Sequence, residues 1–130
     1  MAIINGTFFN DDGNTFLPLL GTNAADDMNA NWSLGSDLML GFAGDDIYRI
    51  NSVLDDIREI AGQGTDTVIT RNASTTLKTN FENLTLDNTA GFLTALNGTG
   101  NSAANVITGN SNGNILSGAS GNDTISGGAG

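Results

Sequence analysis

Five aspartates in the first half of this 130-residue chain follow one another at a near-constant interval. Asp26, Asp37, Asp46, Asp56 and Asp66 are spaced 11, 9, 10 and 10 residues apart. Asp46 and Asp66 each come two residues after a glycine, Gly44 and Gly64, and Asp123 stands in the same relation to Gly121. Glycine supplies backbone angles that a residue with a Cβ resists, so these are carboxylates set in tight concave turns beside backbone carbonyls. Two such carboxylates on neighbouring turns present only oxygen donors, a set that suits a hard cation, and calcium takes about six to eight oxygens. The expected metal ligands are therefore Asp26, Asp37, Asp46, Asp56, Asp66 and Asp123, with Gly44, Gly64 and Gly121 shaping the turns, and the expected cofactor is Ca2+. The plainer role for each aspartate is a turn residue that caps its own backbone.

Other chemistries are poorly supplied. With no Cys and no His, the chain has no thiol nucleophile, no histidine general base and none of the usual zinc ligand sets. The adjacent pairs Asp45-Asp46 and Asp55-Asp56 would point to opposite faces of a strand, so neither makes an acid/base pair across a cleft. No residue is a credible catalyst, and the chain is not expected to be an enzyme. Trp32 and Tyr48 are expected to pack at the surface of the structure rather than to form a ligand platform.

The element that must carry these turns is written out at the C-terminal end. Gly100–Thr108, Gly109–Ser117 and Gly118–Ser126 are three nine-residue copies, each with Gly first, Asn or Asp sixth and an aliphatic eighth. A fixed short period means one unit stacked on itself. The first six positions are turn material, and the last three, such as Thr124-Ile125-Ser126, make a short strand with its aliphatic side chain inward. Turn, strand, turn, strand winds a coil of about two repeats per revolution, in which each strand pairs in parallel with the one a revolution later. The fold expected is all-β, a right-handed parallel β-roll or β-solenoid of short strands joined by Gly/Asn/Asp-rich turns. Consecutive turns fall on opposite edges of a flat coil. One edge would carry Asp26, Asp46 and Asp66, the other Asp37 and Asp56; Asn105 and Asp123 would share an edge, with Asn114 opposite. A turn whose sixth residue is Asn is a weaker ligand and is expected to persist through amide ladders.

The copies Gly41–Arg49, Ala61–Ile69 and Gly118–Ser126 carry a resemblance to the RTX family, the hemolysin-type calcium-binding nonapeptide repeats. Position two departs from that pattern in two of them, where it is Phe42 and Ala119, and position six is Asn in two of the three C-terminal copies. The resemblance implies a parallel β-roll, calcium in the turns, folding after export into millimolar calcium, and type I secretion from a bacterium. Phe81–Leu86 is similar to segments found between RTX blocks.

Composition fits one domain over residues 1–130. Apolar residues make up 38% and aromatic residues 6%; a solenoid needs only a thin ribbon of Ile, Leu and Val. Residues 1–20 are the least regular, and Phe8, Phe9 and Phe16 would serve either a cap over the end of the coil or an interface with another chain. Residues 21–69 hold the acidic turns. Residues 70–97 read as metal-poor rungs: together with Thr67–Thr70, the segments Thr75–Lys78, Glu82–Leu86 and Phe92–Leu96 cluster β-formers. Residues 98–130 are the open-ended repeats. The net charge of −10 argues against a nucleic-acid partner. It is concentrated in residues 1–48, with seven acids and no base, which describes either a solvated face or a coil held apart by repulsion until a cation arrives.

No basic leader or long apolar run opens the chain, so export without a cleavable N-terminal signal and an extracellular or cell-surface location are expected, with no membrane span. The last repeat, opening at Gly127, has four residues, as in a fragment or in a subunit whose next rung comes from another copy. Head-to-tail stacking of that kind makes filaments. The leading functional expectation is a secreted calcium-binding structural module serving as scaffold, adhesin segment, surface-layer unit or filament subunit. The alternative is the C-terminal roll of a secreted protease or lipase whose catalytic domain lies outside this sequence; neither a His-rich zinc motif nor a Gly-x-Ser-x-Gly elbow is present. A glycan partner reading flat threonine ranks is a third expectation.

Overall fold

The computed structural model describes residues 2–5, 18–30, 36–87 and 95–130. Among these there is no helix, and the strands are β1 (Ala2–Asn5), β2 (Leu19–Leu20), β3 (Asp26–Asn29), β4 (Leu38–Leu40), β5 (Ile47–Ile50), β6 (Asp56–Arg58), β7 (Thr67–Thr70), β8 (Thr75–Thr76), β9 (Asn83–Leu86), β10 (Gly98–Thr99), β11 (Val106–Thr108), β12 (Leu116–Ser117) and β13 (Thr124–Ser126). The odd-numbered strands form one parallel sheet of seven, in sequence order. The even-numbered strands lie in two parallel sheets of three, β2-β4-β6 and β8-β10-β12. Sequence and space therefore advance together, and the chain is a parallel β-solenoid, as the repeat predicts. No helix of the described residues is long and apolar enough to cross a membrane.

Alternation inside each strand explains the core. In β7, Val68 is fully buried while Thr67 and Ile69 on either side are not. The same register position holds Met28, Tyr48, Val68, Leu84 and Ile107 on successive strands of the large sheet, each with no exposed surface. Leu19, Met39 and Ile57 occupy the matching position on β2, β4 and β6 and complete the ribbon. Each fully buried aliphatic of this kind contributes about 1.5–3 kcal/mol. Tyr48 is thus core and not surface, contrary to the sequence expectation: its strand position is an inward one, and its ring meets Phe81 edge-to-face at 5.1 Å and 81°. Trp32 lies outside the described residues, as do residues 6–17 and most of the expected rung at 92–96. Within the stretch expected to be irregular, Ala2–Asn5 pairs with β3 as a full rung.

The turns obey the nonapeptide. Position two has positive φ in four copies, at Phe42 (71°), Gly62 (75°), Ala119 (67°) and Gly128 (78°), and position four at Gly44 (124°) and Gly121 (111°). A Cβ on Gly44 would also strike the backbone of Ala24 and Ala25 one rung below. Both angle and space require glycine there.

Candidate metal centre

The sixth position of every second turn lies at the start of a strand of the large sheet, so parallel pairing stacks these positions along one edge. They are tied by a ladder of side-chain bonds. The Asp26 N–H donates to Asp46 Oδ1 at 2.8 Å, the Asp46 N–H to Asp66 Oδ1 at 2.9 Å, and the Asp66 N–H to Glu82 Oε2 at 2.8 Å. The rung separations are 20, 20 and 16 residues; the longer reach of Glu82 suits the short rung. Further along, the Asn105 N–H donates to Asp123 Oδ1 at 2.9 Å, 18 residues on.

The other edge differs from the sequence expectation. The Asp37 N–H donates to Asp55 Oδ1 at 3.2 Å, so Asp55 and not Asp56 stacks with Asp37. Asp55 is buried and also accepts from the Asn51 and Ser52 N–H groups, both at 3.1 Å. Asp56 is already inside β6, points outward, and takes bonds from Arg58 and Lys78, which hold its carboxyl below the usual range. Adjacent residues on extended backbone face opposite ways; the 10-residue count simply chose the wrong member of the pair.

Several sixth-position side chains also cap their own turn. The Thr22 N–H donates to Asp26 Oδ2 at 2.5 Å, the Asn101 N–H to Asn105 Oδ1 at 2.8 Å and the Asn110 N–H to Asn114 Oδ1 at 2.9 Å. Asp46 breaks this habit. Its residue is 1% exposed, and its Oδ2 is buried without a hydrogen-bond partner.

That carboxylate belongs to a cluster. Carboxylate oxygens of Asp46, Glu59 and Asp66 lie within 4.8 Å of one another. The Tyr48 hydroxyl donates to Glu59 and lies 3.3 Å from the Arg58 carbonyl. A Cβ built on Gly41 would run into Asp46 Oδ2, Glu59 Oε1 and the Tyr48 hydroxyl together; the absent side chain is what leaves room for three oxygens to converge. Leu40 pairs with Arg58, so Glu59 occupies the rung position that Gly41 holds one turn earlier and Gly21 one turn before that. A glutamate has replaced the repeat's first glycine.

The chain's four basic side chains sit on other acids: Arg49 on Asp27, Arg58 and Lys78 on Asp56, and Arg71 on Asp87. Among the described residues the cluster is left without a countercharge. Burial, opposed by the bond from the Asp26 N–H and reinforced by the charges of Glu59, Asp26 and Asp45, lifts Asp46 to about 6. Burial likewise lifts Asp66 to about 7, against the bond from the Asp46 N–H and with the charges of Glu59, Asp46 and Glu82. Burial and then the Glu59 hydrogen bond push the Tyr48 phenol up. A bound cation inverts this logic, because it rewards the ionised forms that burial penalises.

Of the expected ligands, then, Asp46 and Asp66 converge. Asp26 stacks beneath Asp46 with its Oδ1 buried and unpartnered, Asp37 pairs with Asp55, Asp56 is outside, and Asp123 accepts from the Asn105 N–H on its edge. Gly44 and Gly64 bring successive turns into backbone contact, and Gly121 does the same against Ala103, with no acidic cluster beside it among the described residues. Glu59 was missed because it follows Arg58 outside any matched nonapeptide. The signal was present: Glu59 lies as far from Gly41 as Ile57 does from its partner Met39. No protein-family model matches the chain, and neither curated proteins nor solved structures give a match.

Proposed function

We propose that the chain is a non-enzymatic structural module, a β-solenoid whose acidic half is stapled by calcium, and that it works outside a bacterial cell as a scaffold, adhesin or surface-layer segment. The observation that carries this reading is the buried, uncompensated convergence of Asp46, Glu59 and Asp66 with Asp46 Oδ2 left over. Three carboxylates and flanking carbonyls are hard oxygen donors on three different chain segments, so an ion bound there crosslinks them. A ligand that binds only the folded chain stabilises it by RT ln(1 + [L]/Kd), about 2.7 kcal/mol at one hundred times Kd. Outside the cell, where such modules bind at about 10⁻⁴–10⁻³ M, the site fills; inside it stays open, and the acids repel.

The test is circular dichroism and calorimetric melting of the chain in EGTA and then with calcium raised to about 10 mM. A gain of β-signal or a rise in melting temperature of several degrees is expected, with no comparable effect of added sodium chloride at equal ionic strength. An unchanged melt would remove calcium from the function and leave a metal-free solenoid. Sedimentation in the same two buffers reads whether calcium also drives end-to-end assembly.

A further inference from the structure

We propose that Tyr48 is the positioning residue that makes this centre selective for a large cation, by holding Glu59 in the coil interior. The inference rests on the reading of the Asp46–Glu59–Asp66 cluster as a cation site. Asp46 and Asp66 precede neighbouring strands β5 and β7 and are fixed by the ladder bonds to Asp26 and Glu82. Glu59 arrives from the opposite face of the coil, just after β6, where it is only partly buried. Its other oxygen, Oε2, takes the Ile60 N–H at 3.2 Å, an exposed local bond that does nothing to turn it inward. The inward bond is the one from the Tyr48 hydroxyl. The phenol is rigidly mounted: Tyr48 has no exposed surface, and its ring is wedged against Phe81.

Size follows from the spacing. Oxygens on opposite sides of one calcium stand about 4.6–5.2 Å apart, and about 4.0–4.2 Å for magnesium. Parallel strands are about 4.7–4.9 Å apart, and Asp46 and Asp66 precede strands paired in that way. Ligands mounted on adjacent rungs match the larger ion without compressing the sheet. Magnesium keeps most of its water and needs only one or two carboxylates, which Asp46 and Asp66 supply without Glu59. Loss of the Tyr48 hydroxyl should therefore cost calcium far more than magnesium.

The experiment is isothermal titration of the full chain with calcium and, separately, magnesium, for the wild type and for Tyr48→Phe, Glu59→Gln and Asp46→Asn, with melts in EGTA. Tyr48→Phe keeps the ring and the core. The expected result is a roughly tenfold loss of calcium affinity, the low end of effects from ligand-orienting residues, with magnesium affinity unchanged, so that the calcium-to-magnesium ratio falls. Glu59→Gln, which still accepts the phenol's hydrogen bond, should lower the same ratio. Calcium binding by Tyr48→Phe equal to wild type, or an equal loss for both ions, overturns the positioning role and leaves the cation site standing. Wild type and Asp46→Asn that both fail to bind, or bind equally, would remove the site itself.

Discussion

Asp46 and Asp56 lie ten residues apart in a stretch whose aspartates recur at about that interval, and the fold assigns them opposite tasks. Asp56 is a half-exposed ion-pair partner of Arg58 and Lys78, and solvent screens such surface pairs so that they add little to stability. Asp46 is buried among acids. Folded-state values of about 6 for Asp46 and Asp37 and about 7 for Asp66, against an ordinary 3.8, fix the sign of the pH response. Between those limits the folded chain holds protons that the unfolded chain releases, so unfolding is favoured as pH rises. In EGTA the melting temperature should accordingly fall as the buffer is taken from pH 5 to pH 8, most steeply between about 5 and 6, and level out above about 7. The stabilisation produced by added calcium should grow over the same range, since the ion binds the deprotonated cluster. A melt in EGTA that improves toward pH 8 would mean that the acids are solvated and paired, and the buried cluster would be wrong.

The turn is the element on which the repeat depends, and the two non-glycine residues with positive φ at its position two carry a local cost. Phe42 and Ala119 hold φ of 71° and 67°, a region that costs a residue with a Cβ roughly 1–2 kcal/mol. Ala119 is exposed and contributes no core contact, so Ala119→Gly should raise stability by about 0.5–1 kcal/mol after the entropy of the freer unfolded glycine is subtracted, read by denaturant or thermal melts. Phe42→Gly makes a poorer test, because it also removes a large side chain. The strands, the parallel pairing and the Asp26-Asp46-Asp66 edge were legible in the sequence because a nine-residue period with fixed Gly and Asp positions dictates them. The Asp37 edge was misread by one residue, since a strand changes face at every residue and a near-period of ten cannot say which of Asp55 and Asp56 turns inward. Tyr48 was misplaced for a related reason: an aromatic with a polar tip reads as surface until a partner such as Glu59 is found for its hydroxyl. Glu59 itself stayed hidden because the turn from Glu59 to Gly64 spans two residues more than the turn from Gly41 to Gly44, and a strict nonapeptide template skips over it.

Along the whole molecule, each rung touches only its neighbours, so stability is close to a sum of local terms and need not be uniform. The two ends of the coil are held by different chemistry. From Asp26 to Asp66 the edge is a stack of buried carboxylates, with unpartnered oxygens on Asp26 and Asp46. From Asn105 onward the same positions are filled chiefly by amides. Asn105 both caps the Asn101 N–H and donates to the Phe81 carbonyl at 3.1 Å, and Asn114 caps the Asn110 N–H while donating to the Leu96 carbonyl at 2.7 Å. An amide supplies donor and acceptor at once and carries no charge, so this half needs no ion. Hydrogen exchange should show the division directly. In EGTA the amides of β5 and β7 and of the turns between Gly41 and Asp66 should exchange much faster than those of β11 between Val106 and Thr108. Calcium should slow the first group by about tenfold or more, for each 1.4 kcal/mol of local stabilisation, and leave β11 nearly unchanged. Uniform slowing along the coil would mean that the rungs open as one cooperative unit, with the acidic centre locking the entire solenoid. If β11 exchanged first, the amide ladder would be the weak half, and the acidic stack would be holding without a cation.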